Sequence, residues 1–217
     1  MQLDRDEDGN PKIKVILVGE TGVGKTNLIN VTMDKDFNEN EKSSLAASFS
    51  IKSMRVDSTI YNLYIWDTMG QERMKSLTQI FFKNSKIVIL VYDITKNLSF
   101  LALENWHKEV KDILGNDIVI GVCGNKSDLF MEEEVSEEQG KNFAKKINAR
   151  FVSTSAKSDK FGFCKFLNDL LEDFINLYNK SKPIEIEKKQ AINPNDHQQS
   201  IILKKTKKEK KKKKSKC

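Results

Sequence analysis

Residues 12–180 alternate between short runs rich in β-branched residues and longer stretches whose apolar positions recur near every 3.6 residues. That alternation predicts a parallel α/β sheet. Lys12–Val18 (KIKVILV) reads as a buried strand, and Lys25–Met33 as a helix opening straight after a glycine-rich turn. Phe49–Val56 and Thr59–Trp66 read as a hairpin around Asp57-Ser58, the second strand alternating apolar and polar side chains. Lys86–Tyr92 and Ile118–Cys123 are apolar enough for central strands, and Arg150–Thr154 reads as the last strand. Leu98–Leu114, Glu137–Ile147 and Cys164–Tyr178 have helical spacing, with Ser136 as N-cap of the second. From Ser181 onward the periodicity fails, and Lys, Glu, Gln, Asn and two of the three prolines dominate. Such a segment buries too little apolar surface to offset its ordering entropy, so disorder is expected. The chain thus divides into a short N-terminal extension (1–11), one folded domain (12–180) and a Lys-rich tail (181–217).

Charge sharpens this division. The formal net charge is +6, yet Lys204–Cys217 alone holds ten lysines against one glutamate. Removing that +9 from +6 leaves −3 for residues 1–203, so the body of the chain ahead of the lysine cluster is mildly acidic. A basic globular nucleic-acid binder would spread its charge over a folded face, and no nucleic-acid partner is expected. Apolar runs such as Ile87–Val91 fall far short of the ~20 residues that span a bilayer. The opening MQLDRDEDGN is acidic and lacks the apolar core of a secretory signal. Three cysteines (Cys123, Cys164, Cys217) make no disulfide framework, so a reducing, cytosolic compartment is expected.

The candidate chemistry begins between the first strand and the first helix. Gly19-Glu20-Thr21-Gly22-Val23-Gly24-Lys25-Thr26 fits G-x-x-x-x-G-K-[ST] in a strand–loop–helix context. Glycines let successive backbone N–H groups wrap around phosphate oxygens, and the helix N-terminus adds partial positive charge. Lys25 would reach the β- and γ-phosphates, and the Thr26 hydroxyl would sit on Mg²⁺. Asp67, after a strand, is placed to hold Mg²⁺ through water, and Gly70 to offer an N–H to the γ-phosphate. Asn125-Lys126-Ser127-Asp128 follows a central strand, at the sheet edge where open α/β sheets bind ligands. The Asp128 carboxylate can accept from both N1–H and N2–H of guanine. Adenine lacks that donor pair, a mismatch worth ~10⁴–10⁵ in discrimination. Ser155-Ala156-Lys157 would supply a backbone N–H to the guanine carbonyl. Each segment alone is also an ordinary turn or helix start; their order at successive strand ends makes the guanine-nucleotide reading.

The segments GETGVGKT, WDTMGQER, GNKSDL and TSAK, with Tyr92–Thr95 (YDIT) and Ser99-Phe100, resemble the Rab small GTPases of the Ras superfamily over roughly residues 12–180. Ser44–Phe49 and Leu114–Ile118 resemble the early-endosomal, Rab twenty-one-like branch. The resemblance implies the P-loop small-GTPase (G domain) fold, a six-stranded, mostly parallel sheet flanked by helices. It also implies a GTP hydrolase, with a slow intrinsic rate, cycling between GDP and GTP states in vesicle traffic. Nucleotide contacts are carried over to Thr21, Gly22, Val23, Gly24, Lys25, Thr26, Asn27, Phe37, Ser44, Gly70, Asn125, Lys126, Asp128, Ser155, Ala156 and Lys157. Phe37 would stack on the base; Thr26, Ser44 and Asp67 would serve Mg²⁺; Gln71 would orient the attacking water. Neither histidine reads as a catalyst, and both His107 and His197 are expected to be solvated.

Residues 38–48 and 67–81 would be the two switches, meeting an exchange factor, a GTPase-activating protein and effectors. A monomer is expected, escorted by prenylation and GDP-dissociation-inhibitor proteins and attached to the cytosolic face of endosomal or other vesicular membranes. Cys217 is the expected lipidation site; one lipid holds a membrane weakly, so the Lys cluster would supply a second, electrostatic signal toward anionic lipid. Four residues depart from the family: Thr21 in the phosphate loop, Ser44 for Thr, Ala46 for Gly and Met69 for Ala. They leave open a GTP-binding interaction module with little or no hydrolysis. A P-loop kinase is opposed by Asn125–Asp128.

Overall fold

Strand alternation decides what each face of the sheet packs against. In the computed structural model, residues 3–38, 48–67, 81–159 and 161–181 are described. All lie in the unit Met1–Lys182; the second unit, Pro183–Cys217, lies outside the described residues. The described elements are β1 (Lys12–Val18), α1 (Lys25–Thr32), β2 (Ser48–Val56), β3 (Thr59–Asp67), β4 (Ile87–Asp93), α2 (Asn97–Leu101), α3 (Leu103–Leu114), β5 (Val119–Asn125), a 3₁₀ turn (Ser127–Glu132), α4 (Glu137–Lys146), β6 (Arg150–Ser153) and α5 (Gly162–Ser181). The sheet has six strands in the order β2-β3-β1-β4-β5-β6. Only β2 runs antiparallel, against β3; every other pairing is parallel. This is the G-domain architecture expected from the sequence.

Two cores sandwich the sheet. Ile13, Val15 and Leu17 of β1, with Ile87, Ile89 and Val91 of β4, pack on α1 and α5. Ile16 and Val18, with Val88, Leu90 and Tyr92, face α3 and α4. On α5 the buried stripe is Phe163, Phe166, Leu167, Leu170, Leu171 and Phe174, the spacing of one helical face. Burying each such side chain contributes about 1.5–3 kcal/mol. Because β4 is buried along its whole length, it has no solvent face and reads as a continuous apolar run.

Element ends shift from the sequence reading by one to three residues, and one element splits. Leu98–Leu114 is two helices rather than one. The backbone at Ala102 takes i→i+3 bonding, with the Asn105 N–H on the Ala102 carbonyl at 3.1 Å, and the ladder restarts there. Apolar spacing runs through this joint unchanged, so periodicity could not see it. β5 continues to Asn125, pairing it with Asp93 of β4. α5 runs through Ser181, one residue into the expected tail.

His107 is also corrected. It is half-buried on α3, and its Nε2 is buried with no hydrogen-bond partner among the described residues. Burial, then the Lys111 charge, hold its pKa below the ordinary value. The cause is the packing of α3 on the sheet through Leu103 and Val110, which draws the neighbouring turn inward.

The extension is seated rather than loose. The Asp6 carboxylate accepts from the Asn10 N–H (2.8 Å) and from the Asn62 side chain on β3. The Lys12 N–H donates to the Asp4 carbonyl at 2.8 Å, and Leu3 packs against the α1/α5 core.

Ser136 caps α4 through a full capping box. Its Oγ accepts the Gln139 N–H (3.3 Å), and the Gln139 side chain accepts the Ser136 N–H (2.8 Å). Ser136→Ala should lower unfolding free energy by about 1 kcal/mol and the melting temperature by about 2–4 °C, read by thermal denaturation. An unchanged midpoint would show that the cap carries no stability.

Candidate functional site

Parallel pairing brings the C-terminal ends of β1, β3, β4 and β5 to one edge, and the loops leaving them meet there. Two positions at this edge admit only glycine. A Cβ on Gly19 would lie 2.1 Å from the Val91 carbonyl oxygen, and one on Gly24 2.3 Å from Asn125 Nδ2. Both also have positive φ, +148° and +97°, which side chains rarely tolerate. Between them the loop turns back over β1, exposing Thr21 and Gly22 and burying Val23.

Lys25 is buried, and its ammonium donates to the carbonyls of Gly19 (2.6 Å) and Glu20 (2.9 Å). Those carbonyls hold the charge over the loop cradle. The next residue, Thr26, donates its hydroxyl to Asp67 Oδ2 at 2.8 Å. Asp67 is buried at the end of β3, opposite Leu17 of β1. Hydroxyl and carboxylate therefore converge, and hard oxygen donors suit Mg²⁺. The Asn27 side chain donates to the Asn38 carbonyl (3.0 Å) and accepts the Asn38 N–H (3.4 Å). It tethers the segment that carries Phe37.

The second half of the site is built on Asn125. Its Nδ2 donates to the Val23 carbonyl (2.8 Å), and its Oδ1 accepts the Ala156 N–H (3.2 Å). One buried amide thus ties the phosphate loop to the loop after β6. Lys126, in a left-handed conformation (φ +67°), reaches back to Asp93 Oδ2 at 2.6 Å. Asp128 accepts the Ser155 hydroxyl at 2.5 Å, and Ser155 Oγ accepts the N–H groups of Lys157 and Ser158, each at 3.1 Å. A carboxylate offers about four lone-pair sites, so this bond orients Asp128 and leaves acceptor capacity for a ligand. Across the slot, the Lys157 ammonium stands 6.0 Å from the centre of the half-buried Phe37 ring.

The site residues Thr21–Thr26, Phe37, Asp67, Asn125, Lys126, Asp128, Ser155, Ala156 and Lys157 therefore surround one edge of the sheet. Ser44, Gly70, Gln71 and Cys217 lie outside the described residues, as do Ala46 and Met69. Sequence reasoning missed the Trp106 indole N–H, which donates to Glu20 Oε1 at 3.3 Å and braces the loop from α3. It also missed Asp93, buried beneath Lys126. Trp106 sits in an apolar helical pattern that gives no polar signal, and Asp93 lies at the end of an apolar strand.

A P-loop, a hydroxyl–carboxylate pair and a carboxylate-bearing slot on an open α/β sheet define a nucleotide-binding G domain. Residues 14–174 match the Ras family. Ras-related protein Rab-21 of Bos taurus is 42% identical over 147 residues, covering 68% of this chain and 66% of that protein. Rab-22A of Homo sapiens is 40% identical over 147 residues, covering 68% and 76%, and Rab11B of Nicotiana tabacum 39% over 151 residues, covering 70% of each. The chain thus spans just under two thirds of the length of Rab-21. It belongs to the Ras family, as a Rab-family small GTPase of the Rab-21-like branch.

Asn125→Ala strands two buried backbone groups, the Val23 carbonyl and the Ala156 N–H. Unfolding free energy should fall by about 2 kcal/mol in denaturant titrations. A loss under about 0.5 kcal/mol would show that the amide does not join the two loops.

Proposed function

We propose that this chain binds GTP and GDP with Mg²⁺, hydrolyses GTP slowly, and switches between the two states to recruit effectors in vesicle traffic, on endosomal membranes in particular. The observation that carries the reading is the Asn125 bridge, which fixes the phosphate loop against the loop that presents Ala156. Around it, the base slot has Asp128 as acceptor, Phe37 for stacking and the Lys157 stem on the opposite side.

In this mechanism the loop N–H groups and Lys25 bind the β- and γ-phosphates. Thr26 and Asp67, with Ser44, would hold Mg²⁺, whose chemistry there is neutralisation of charge on the phosphate oxygens. Gln71 orients the attacking water, and Gly70 offers its N–H to the γ-phosphate. Positioning without a supplied arginine is only part of the machinery, so the intrinsic rate is slow. Residues 38–48 and 67–81 form the two surfaces met by the exchange factor, the activating protein and effectors. The tail is a separate device. One prenyl group on Cys217 binds a membrane weakly, and each lysine near an anionic leaflet adds up to ~1 kcal/mol. Escort and GDP-dissociation-inhibitor proteins would handle that lipid, and the chain acts as a monomer. The endosomal assignment is supported by the resemblance of Ser44–Phe49 and Leu114–Ile118 to that branch. The domain organisation proposed is a G domain over 12–180 with a tail beyond it.

Asp128→Asn should weaken GDP binding by about two orders of magnitude or more and bring xanthosine diphosphate into the site, because an amide donates to xanthine's extra carbonyl. Equilibrium binding of both nucleotides measures this, and unchanged GDP affinity would refute base recognition by Asp128. Gln71→Leu should slow single-turnover GTP hydrolysis by at least about tenfold, since Leu cannot orient water. Equal rates in the two proteins, with GTP bound by both, would favour the non-hydrolysing binding module.

A further inference from the structure

The two core-facing rows of β1 part company at its start. Ile16 and Val18 share a face with Lys12 and Lys14, so the row that feeds the α3/α4 core begins with two ammonium groups. There a cavity of about 500 Å³ opens on the sheet, walled by β3, the Leu3–Asp4 segment and the stretch leading into β4. Small-molecule sites fall in this size range. Four lysines line it: Lys12, Lys14, Lys83 and Lys86.

Two of these ammonium groups are held by aromatic rings. Lys14 Nζ stands 4.7 Å from the centre of the Trp66 ring and donates to the Lys83 carbonyl at 3.0 Å. Lys12 Nζ stands 5.6 Å from the centre of the Tyr64 ring. Each ring thus carries a cation over one face, which fixes positive charge at the cavity wall. Among the described residues, Asp4 is the one carboxylate in the lining. Beyond the lining, Asp117 acts on Lys86, and Asp6, already bonded to Asn10 and Asn62, acts on Lys12. Partial burial lowers the pKa of both Lys14 and Lys86, so their charged forms gain from an incoming anion.

We propose that this cavity is a second ligand site, separate from the nucleotide site, and that it takes a compact molecule carrying several phosphates. Four lysines carry more positive charge than a single phosphate can balance, whereas a polyphosphorylated ring matches the set. The same chemistry is presented by a free polyphosphorylated metabolite or by a phosphorylated lipid headgroup. The proposal is independent of the switch reading.

The full-length protein, labelled with ¹⁵N, tests it through its two tryptophans, one in the cavity and one on α3. Titration with inositol hexakisphosphate should shift the Trp66 indole resonance saturably and leave that of Trp106 in place. The same concentration of inorganic phosphate should not reproduce the shift. Lys12→Gln with Lys86→Gln should weaken binding at least tenfold, and Asp4→Asn should tighten it two- to threefold by removing the opposing charge. Nonspecific binding by the tail lysines is untouched by these substitutions, so affinity that ignores them overturns the proposal. So does a shift shared equally by Trp106. Vesicles carrying phosphatidylinositol bisphosphate, compared with phosphatidylserine vesicles of equal charge, identify the source. Competition by the former alone marks a lipid headgroup, and competition by neither marks the free metabolite, either result supporting the site.

Discussion

A single side-chain amide couples the two halves of the nucleotide edge. Asn125 spans from the Val23 carbonyl to the Ala156 N–H, joining loops far apart in sequence. Its position is set by β5, which continues far enough to pair Asn125 with Asp93. Its closeness to Gly24 leaves no room for a Cβ there. Phosphate loop, base loop and central sheet are therefore one mechanical unit: a change in any of them moves the amide, and a moved amide leaves buried donors and acceptors unmatched.

Around that amide, charge is positioned by backbone as much as by side chains. Lys25 is anchored by carbonyls of its own loop, and Lys126 is turned by a left-handed backbone toward a fully buried Asp93. Ser155 Oγ accepts two N–H groups and donates its own hydroxyl hydrogen bond to Asp128. Each arrangement orients a group in advance of any ligand, so less ordering remains for binding to impose. The Trp106–Glu20 bond extends this bracing outward to α3.

The lysine cavity stands on different physics. The nucleotide edge presents backbone N–H groups and a few buried side chains, whereas the cavity presents side-chain ammonium groups over aromatic rings. β1 serves both, with Gly19 following its last residue and Lys12 and Lys14 near its first. Ile16 and Val18, between them, are buried in the core, so the strand that shapes one site is held rigid for the other.

Much of this was readable from residue order. Strand and helix types followed from apolar spacing, and the P-loop, Asp67, Asn125–Asp128 and Ser155–Lys157 were named because their chemistry is local and their order along an α/β chain dictates a common edge. The joint at Ala102 was not readable, because a backbone change that preserves side-chain spacing leaves no mark on periodicity. Nor was the burial of His107, which depends on what α3 packs against. The bonds Asn125–Val23, Trp106–Glu20 and Asn27–Asn38 join residues by distance in space, and the lysines of the cavity come from β1 and the approach to β4, separated by some seventy positions. Residue order carries short-range preference and face parity; which distant side chains meet is decided when parallel strands stack and their loops compete for the same volume.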